Sequence, residues 1–167
     1  MQTQSPTTCA VRAAIDSDRA HGAIVPPLYL SSNFSFDGYA KPRQYDYTRS
    51  GNPTRDALSG ALAELEGGAG AVVTCTGMAA VTLALQLVPE GGLLVAPHDC
   101  YGGTWRLFDT LAQRGRFRLK LVDQGNLAAV ADAFHEPVDL LWIETPSNPL
   151  LRIVDLHALT TLAHQYG

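Results

Sequence analysis

The sequence predicts an α/β fold, a mostly parallel sheet wrapped by helices and preceded by an irregular N-terminal arm. Three observations carry this. Short strand-like segments at 71–73, 93–96, 117–122 and 140–143 alternate with stretches of helical periodicity. Glycine- or proline-containing turns separate them. The first 51 residues lack any such alternation.

The arm, 1–51, is expected to hold one short helix from Thr8 to Ala14. Pro26, Pro27, Gly38, Pro42 and Gly51 then fall too close together for long regular elements. Yet the arm carries Ile24, Val25, Leu28, Tyr29, Leu30, Phe34, Phe36, Tyr39, Tyr45 and Tyr47, which a solvated linker would not. Such an arm is expected to pack on its own domain or on a neighbouring subunit.

Regularity begins at Asn52, an N-cap residue, followed by Pro53 in the first helical turn. Ala57, Leu58, Ala61, Leu62 and Leu65 form one apolar stripe, and Gly67-Gly68 ends the helix. Ala71, Val72 and Val73 read as a buried strand. Thr74, Cys75 and Thr76 turn, and Gly77 lets the backbone come close to whatever lies above it. From Met78 a helix is expected, with Met78, Val81, Leu85 and Val88 on one face, widened by Leu83, Ala84 and Leu87. Its N-terminus offers free N–H groups and a positive dipole end, a setting for phosphate, although ordinary strand-to-helix corners of this kind are far commoner than phosphate sites.

Leu93–Ala96 reads as a strand, Gly102–Gly115 as a helix, Phe117–Val122 as a strand, and Asn126 or its neighbours as the cap of a helix to about Phe134. Leu140–Ile143 reads as a strand and Asp155–Tyr166 as the last helix. Ligands in such folds bind beyond the C-terminal ends of the strands. The residues there are Thr76-Gly77-Met78, Pro97 to Gly103, and Glu144 to Pro149. Tyr101, before two glycines, can lay its ring over a flat ligand or plug the loop. Asn148 can bond a ligand oxygen or serve as a turn residue.

Composition excludes several classes. The 167 residues are 46% hydrophobic and 17% charged, which makes the chain globular. A net charge of −4 leaves no electrostatic footprint for nucleic acid or acidic lipid. No apolar window reaches a membrane-span length, and the N-terminus lacks a signal-peptide pattern. Cys9, Cys75 and Cys100 are odd in number and at no metal-like spacing, so reduced thiols in the cytoplasm and no metal are expected.

Five segments carry a resemblance. They are Asp46 to Arg55 (Asp-Tyr-Thr-Arg-Ser-Gly-Asn-Pro-Thr-Arg), Leu62 to Gly68 (Leu-Ala-Glu-Leu-Glu-Gly-Gly), Thr76-Gly77-Met78, Ala96 to Gly103 (Ala-Pro-His-Asp-Cys-Tyr-Gly-Gly), and Glu144 to Pro149 (Glu-Thr-Pro-Ser-Asn-Pro). Together they resemble the pyridoxal-phosphate (PLP) enzymes of cysteine and methionine metabolism. The run from Pro97 to Gly103, with Arg106 to Asp109 after it, is most similar to the members that perform γ-replacement.

The resemblance implies an aspartate-aminotransferase-like, fold-type I PLP-binding large domain, of which 52–167 would be the first part. It implies that the amides of Gly77 and Met78 hold the cofactor phosphate. Tyr47 and Arg49 would reach the phosphate of a neighbouring subunit in a homo-oligomer, a dimer of dimers. Tyr101 would stack on the pyridine ring and serve catalysis, Asn148 would sit beside the ring hydroxyl, and Asp46 and Arg106 would contact substrate. Glu64, Glu66, His98 and Asp99 are left as structural. The activity implied joins an O-acyl-homoserine to cysteine, with cystathionine or methionine lyases as the alternative.

One departure bears on this. The family bonds its cofactor to a lysine in a Ser-x-Thr-Lys setting. The two lysines here, Lys41 in the arm and Lys120 within a strand, have no such setting. The family's aspartate, lysine and C-terminal domain would follow Gly167. The chain is therefore expected to be the N-terminal portion of a longer enzyme and inactive alone, or a non-catalytic piece that pairs with full-length subunits. A nucleotide-binding domain is disfavoured because no Gly-x-Gly-x-x-Gly or Walker loop is present.

Overall fold

A computed structural model describes residues 5–166. The chain divides into two compact units, 1–73 and 74–167.

The first unit contains α1 (Pro6–Arg12) and α2 (Pro53–Leu65). Ser5 caps α1 through the Thr8 N–H, and Asn52 caps α2 through the Thr54 N–H. The two helices pack around the buried Cys9, whose thiol is pushed up by burial and then by the Glu64 carboxylate beside it. Between the helices the chain is irregular, as expected, but it is tied down locally. Asp18 accepts from the N–H groups of Ala20, His21 and Ala23. Asn33 and Tyr47 form an antiparallel bridge, and the rings of Phe34 and Tyr45 meet at 5.4 Å. Gly51 is required there: a Cβ would stand 2.9 Å from the Tyr45 ring. Ile24, Val25, Leu28, Leu30 and Tyr39 stay exposed, and so do Leu58, Leu62 and Leu65 of the α2 stripe.

The second unit is a three-stranded parallel sheet in the order β2–β1–β3, where β1 is Leu93–Pro97, β2 is Arg118–Val122 and β3 is Leu140–Leu141. Its helices are α3 (Gly77–Ala84, continued by a 3₁₀ turn Leu85–Leu87), α4 (Gly102–Gln113), α5 (Leu127–Ala133) and α6 (Leu156–Gln165). Side chains alternate across a strand. Leu93 and Val95 join Val122, Val130, Ala133, Phe134 and Leu159 in one core. Leu94 and Ala96 join Leu85, Val88, Phe108 and Phe117 in the other. All five residues of β1 are buried, as a strand covered on both faces requires.

Three expectations differ from what is observed. Ala71–Val73 forms no strand, because a strand exists only by pairing and this run has no partner among the described residues. Val72 is 74% exposed. The helix from Gly77 buries Leu85 and Val88 and partly buries Val81, but Leu83 and Leu87 point outward. The fourth run, 140–143, pairs only at Leu140 and Leu141, although the Trp142 N–H still donates to the Val95 carbonyl at 2.8 Å.

Asn52 carries the first unit's local order. It is 8% exposed, and its amide also donates to the Tyr29 carbonyl and the Thr48 hydroxyl. Asn52→Ala removes a cap and strands two acceptors, at a cost of about 2–3 kcal/mol. Asn52→Asp keeps the cap acceptor but loses both donors, so its thermal midpoint should fall between wild type and Ala. Equal midpoints for all three proteins would contradict this account of the arm.

Candidate active site

The candidate site residues of the second unit lie at the N-terminus of α3 and on the loops after β1 and β3. Thr76, in extended conformation, caps α3 by accepting from the Ala79 N–H at 3.0 Å, and its carbonyl accepts from Ala80. The Thr74 hydroxyl donates to the Thr76 carbonyl at 2.9 Å, which fixes the turn. The N–H groups of Gly77 and Met78 then donate to nothing among the described residues. Nothing lies within 4 Å of where a Gly77 Cβ would stand. Two free donors at the positive end of a helix, under open space, fit a phosphate.

The loop after β1 delivers Tyr101. The His98 N–H and ring Nδ1 both lie near the Val122 carbonyl, at 3.0 and 3.1 Å, which ties the loop to the end of β2. Tyr101 is the N-cap position of α4 but caps nothing with its own side chain. Its ring folds back over Gly103 instead. A Cβ on Gly103 would stand 2.5 Å from the ring and 3.3 Å from the Met78 sulfur. The ring therefore lies beside Met78 only because residue 103 has no side chain. It remains 46% exposed.

The loop after β3 is a tight turn. The N–H groups of Arg152 and Leu151 donate to the Ser147 hydroxyl and carbonyl, and the Ser147 N–H donates to the Arg152 carbonyl. Buried Ser147 anchors it and exposed Asn148 stands at its tip, with no side-chain hydrogen bond among the described residues. Arg152 in turn pairs with Asp99 at 3.8 Å and meets His98 Nε2 at 3.4 Å.

A cleft of about 390 Å³ opens at these strand ends, lined by Asp99, Gln124, Glu144, Ser147 and Arg152 among others. Tyr101 and Asn148 do not line it. Cys100, next to Asp99 in the loop after β1, is buried, and its thiol is pushed up to about 11 by burial and then by the Glu144 carboxylate.

The remaining candidates are placed differently. Arg106 is exposed on α4 and makes no ion pair or hydrogen bond among the described residues. Tyr47 and Arg49 lie in the first unit as a pair. The Arg49 guanidinium donates to the Tyr47 hydroxyl at 2.9 Å and sits 5.0 Å above its ring. Arg55 holds that loop by donating to the Thr48 and Arg49 carbonyls. Asp46 accepts from Ser50 and from the Tyr47 N–H, which hold its carboxyl below the usual carboxylate range. Its carboxylate is thus engaged in its own turn.

Sequence reasoning assigned no role to three residues that build the loops. Gln124, Glu144 and Arg152 hold the strand ends together across separations of 18, 43 and 54 residues. No local spacing signals such partners.

Residues 7–167 match the family described as Cys/Met metabolism PLP-dependent enzyme. The chain is 52% identical over 166 residues to cystathionine gamma-synthase of Escherichia coli K12, covering 99% of this chain and 43% of that protein. It is 36% identical over 156 residues to cystathionine beta-lyase of Lactococcus lactis subsp. cremoris, covering 93% and 41%. Among solved structures it is similar to cystathionine gamma synthase from Xanthomonas oryzae pv. oryzae in complex with aminoacrylate and cysteine. The TM-score is 0.92 at 56% identity, with 98% of this chain and 43% of that one covered. The chain thus spans about 43% of the length of these synthases. On the match of residues 7–167 and these identities, the chain belongs to the PLP-dependent enzymes of cysteine and methionine metabolism.

Proposed function

We propose that this chain is the cofactor-phosphate portion of a PLP-dependent enzyme that joins an O-acyl-homoserine to cysteine by γ-replacement. The observation that carries the reading is the open N-terminus of α3 beside the Tyr101 ring. When bound, PLP supplies the electron sink for proton removal from the amino-acid substrate.

The chain's own residues then have these roles. Gly77 and Met78 donate their N–H groups to phosphate oxygens. Tyr101 covers one face of the pyridine ring, and its hydroxyl is placed to help move a proton. Asn148 bonds the ring hydroxyl. Arg49, held on Tyr47, presents its remaining donors to the phosphate of a neighbouring subunit, so the protein works as a homo-oligomer, a dimer of dimers. Asp46 and Arg106 contact substrate; Asp46 does so only after release from Ser50.

The lysine that bonds the cofactor comes from outside these 167 residues. Lys41 lies in an exposed turn, and Lys120 sits opposite Val95 in mid-strand, 4.0 Å from Asp132. The isolated chain is therefore inactive, and it can still pair with full-length subunits. Synthase activity is favoured over lyase by 52% identity against 36%. No helix among the described residues is long and apolar enough to cross a membrane, which is compatible with a cytoplasmic enzyme.

Three outcomes are expected in the full-length protein. Gly77→Ala should leave the thermal midpoint unchanged or raised, since the position is open and Ala favours helix by up to about 1 kcal/mol. Its affinity for PLP should nevertheless fall, as measured by equilibrium dialysis. Unchanged affinity would remove the phosphate from α3.

Tyr101→Ala should weaken cofactor binding more than Tyr101→Phe, by about 0.5–1.5 kcal/mol from the lost stack. The Phe variant should lose turnover while keeping cofactor. Equal affinity in all three proteins would make Tyr101 a loop plug.

Arg49→Ala should cost about 1.5–3 kcal/mol in cofactor retention. Mixing Arg49→Ala subunits with subunits lacking the cofactor lysine should restore activity in hybrids. No recovery would put Arg49 and the lysine in the same chain's site.

A further inference from the structure

Tyr101 begins α4 without a side-chain cap of its own. Its N–H is nonetheless engaged. It donates at 2.7 Å to Glu144 Oε1, 43 residues away on the loop after β3. This is a hydrogen bond to a carboxylate at a helix N-terminus, where negative charge is favoured.

The carboxylate is itself held. The Trp142 indole N–H points at Glu144 Oε2 at 3.5 Å. Trp142 is pinned in three further ways. Its N–H donates to the Val95 carbonyl, its carbonyl accepts from buried Gln124, and its ring meets the buried Phe108 of α4 edge-on at 5.6 Å. A rigid chain of contacts thus runs from the centre of the sheet through Trp142 and Glu144 to the backbone of Tyr101.

We propose that Glu144 is a positioning residue, whose carboxylate fixes the Tyr101 backbone so that the ring stays over Gly103 and presents a face to the cofactor. The proposal rests on the reading that Tyr101 stacks on the PLP ring. Gly103 makes room for the ring, but space alone does not hold a half-exposed side chain in place. The Glu144 bond removes the freedom of the residue that carries it. The bond does not need a charge, only an acceptor at that reach, so glutamine can replace glutamate. Aspartate, one methylene shorter, keeps the charge and loses the contact.

The test is a double-mutant cycle on the full-length holoenzyme, reading PLP dissociation by dialysis and the induced circular dichroism of the bound cofactor. Glu144→Ala should raise the dissociation constant about tenfold, the size of one hydrogen bond, and alter the induced signal. Glu144→Gln should restore both, and Glu144→Asp should behave as Ala; the aspartate variant carries the test if the Ala protein does not fold. In a Tyr101→Ala background, Glu144→Ala should cause no further loss, because its effect passes through the missing ring. A full additional loss in that background would overturn the proposal by showing that Glu144 acts on the cofactor directly. Wild-type affinity in Glu144→Ala, or no rescue by Gln, would overturn it as well. A Tyr101→Ala protein with undiminished affinity would instead sink the reading of Tyr101 on which the proposal stands.

Discussion

The burial of β1 on both faces is the constraint on which the second unit depends. Five consecutive buried residues feed two cores, Leu93 and Val95 on one side, Leu94 and Ala96 on the other. Both neighbours run parallel to it, so the loops after all three strands emerge at the same edge. Chemistry-bearing residues from positions 97–103, 123–126 and 144–154 meet there for that reason alone. The loop residues then lock onto one another through backbone acceptors and the Asp99–Arg152 pair rather than through further apolar packing.

The site needs absent side chains as much as present ones. Gly77 leaves the helix amides of α3 approachable, and Gly103 leaves room for the Tyr101 ring beside Met78. Both follow from geometry at helix N-termini, where backbone donors are free and a Cβ would intrude. An alanine at 103 would favour the helix locally and displace the ring, so local helix preference and ring placement oppose each other at that position.

Much of this was legible in the sequence, for identifiable reasons. Asn52 stands where a short polar side chain precedes Pro53 and helical periodicity, and it accepts the N–H expected of a cap; the helix starts near Asn126 and Asp155 were visible in the same way, and there the structure shows those two side chains as the caps. Strand β1 was visible as an unbroken apolar run between turns. What depended on a distant partner was not legible. Ala71–Val73 has strand composition but no strand beside it among the described residues. Leu83 and Leu87 fit the helical stripe yet face outward, because a stripe records periodicity and not what lies opposite. Glu144 was visible as part of a motif, but its bond to the Tyr101 N–H spans 43 residues, and only the fold brings the two together.

The central claim is that the α3 N-terminus holds the cofactor phosphate while Tyr101 covers the ring. Its most direct test is a crystal structure of the full-length protein with PLP bound. The account predicts phosphate oxygens about 2.7–3.2 Å from the backbone nitrogens of Gly77 and Met78, with the pyridine ring parallel to that of Tyr101. A phosphate seated instead in the strand-end cleft beside Arg152, with both amides left to water, would contradict it.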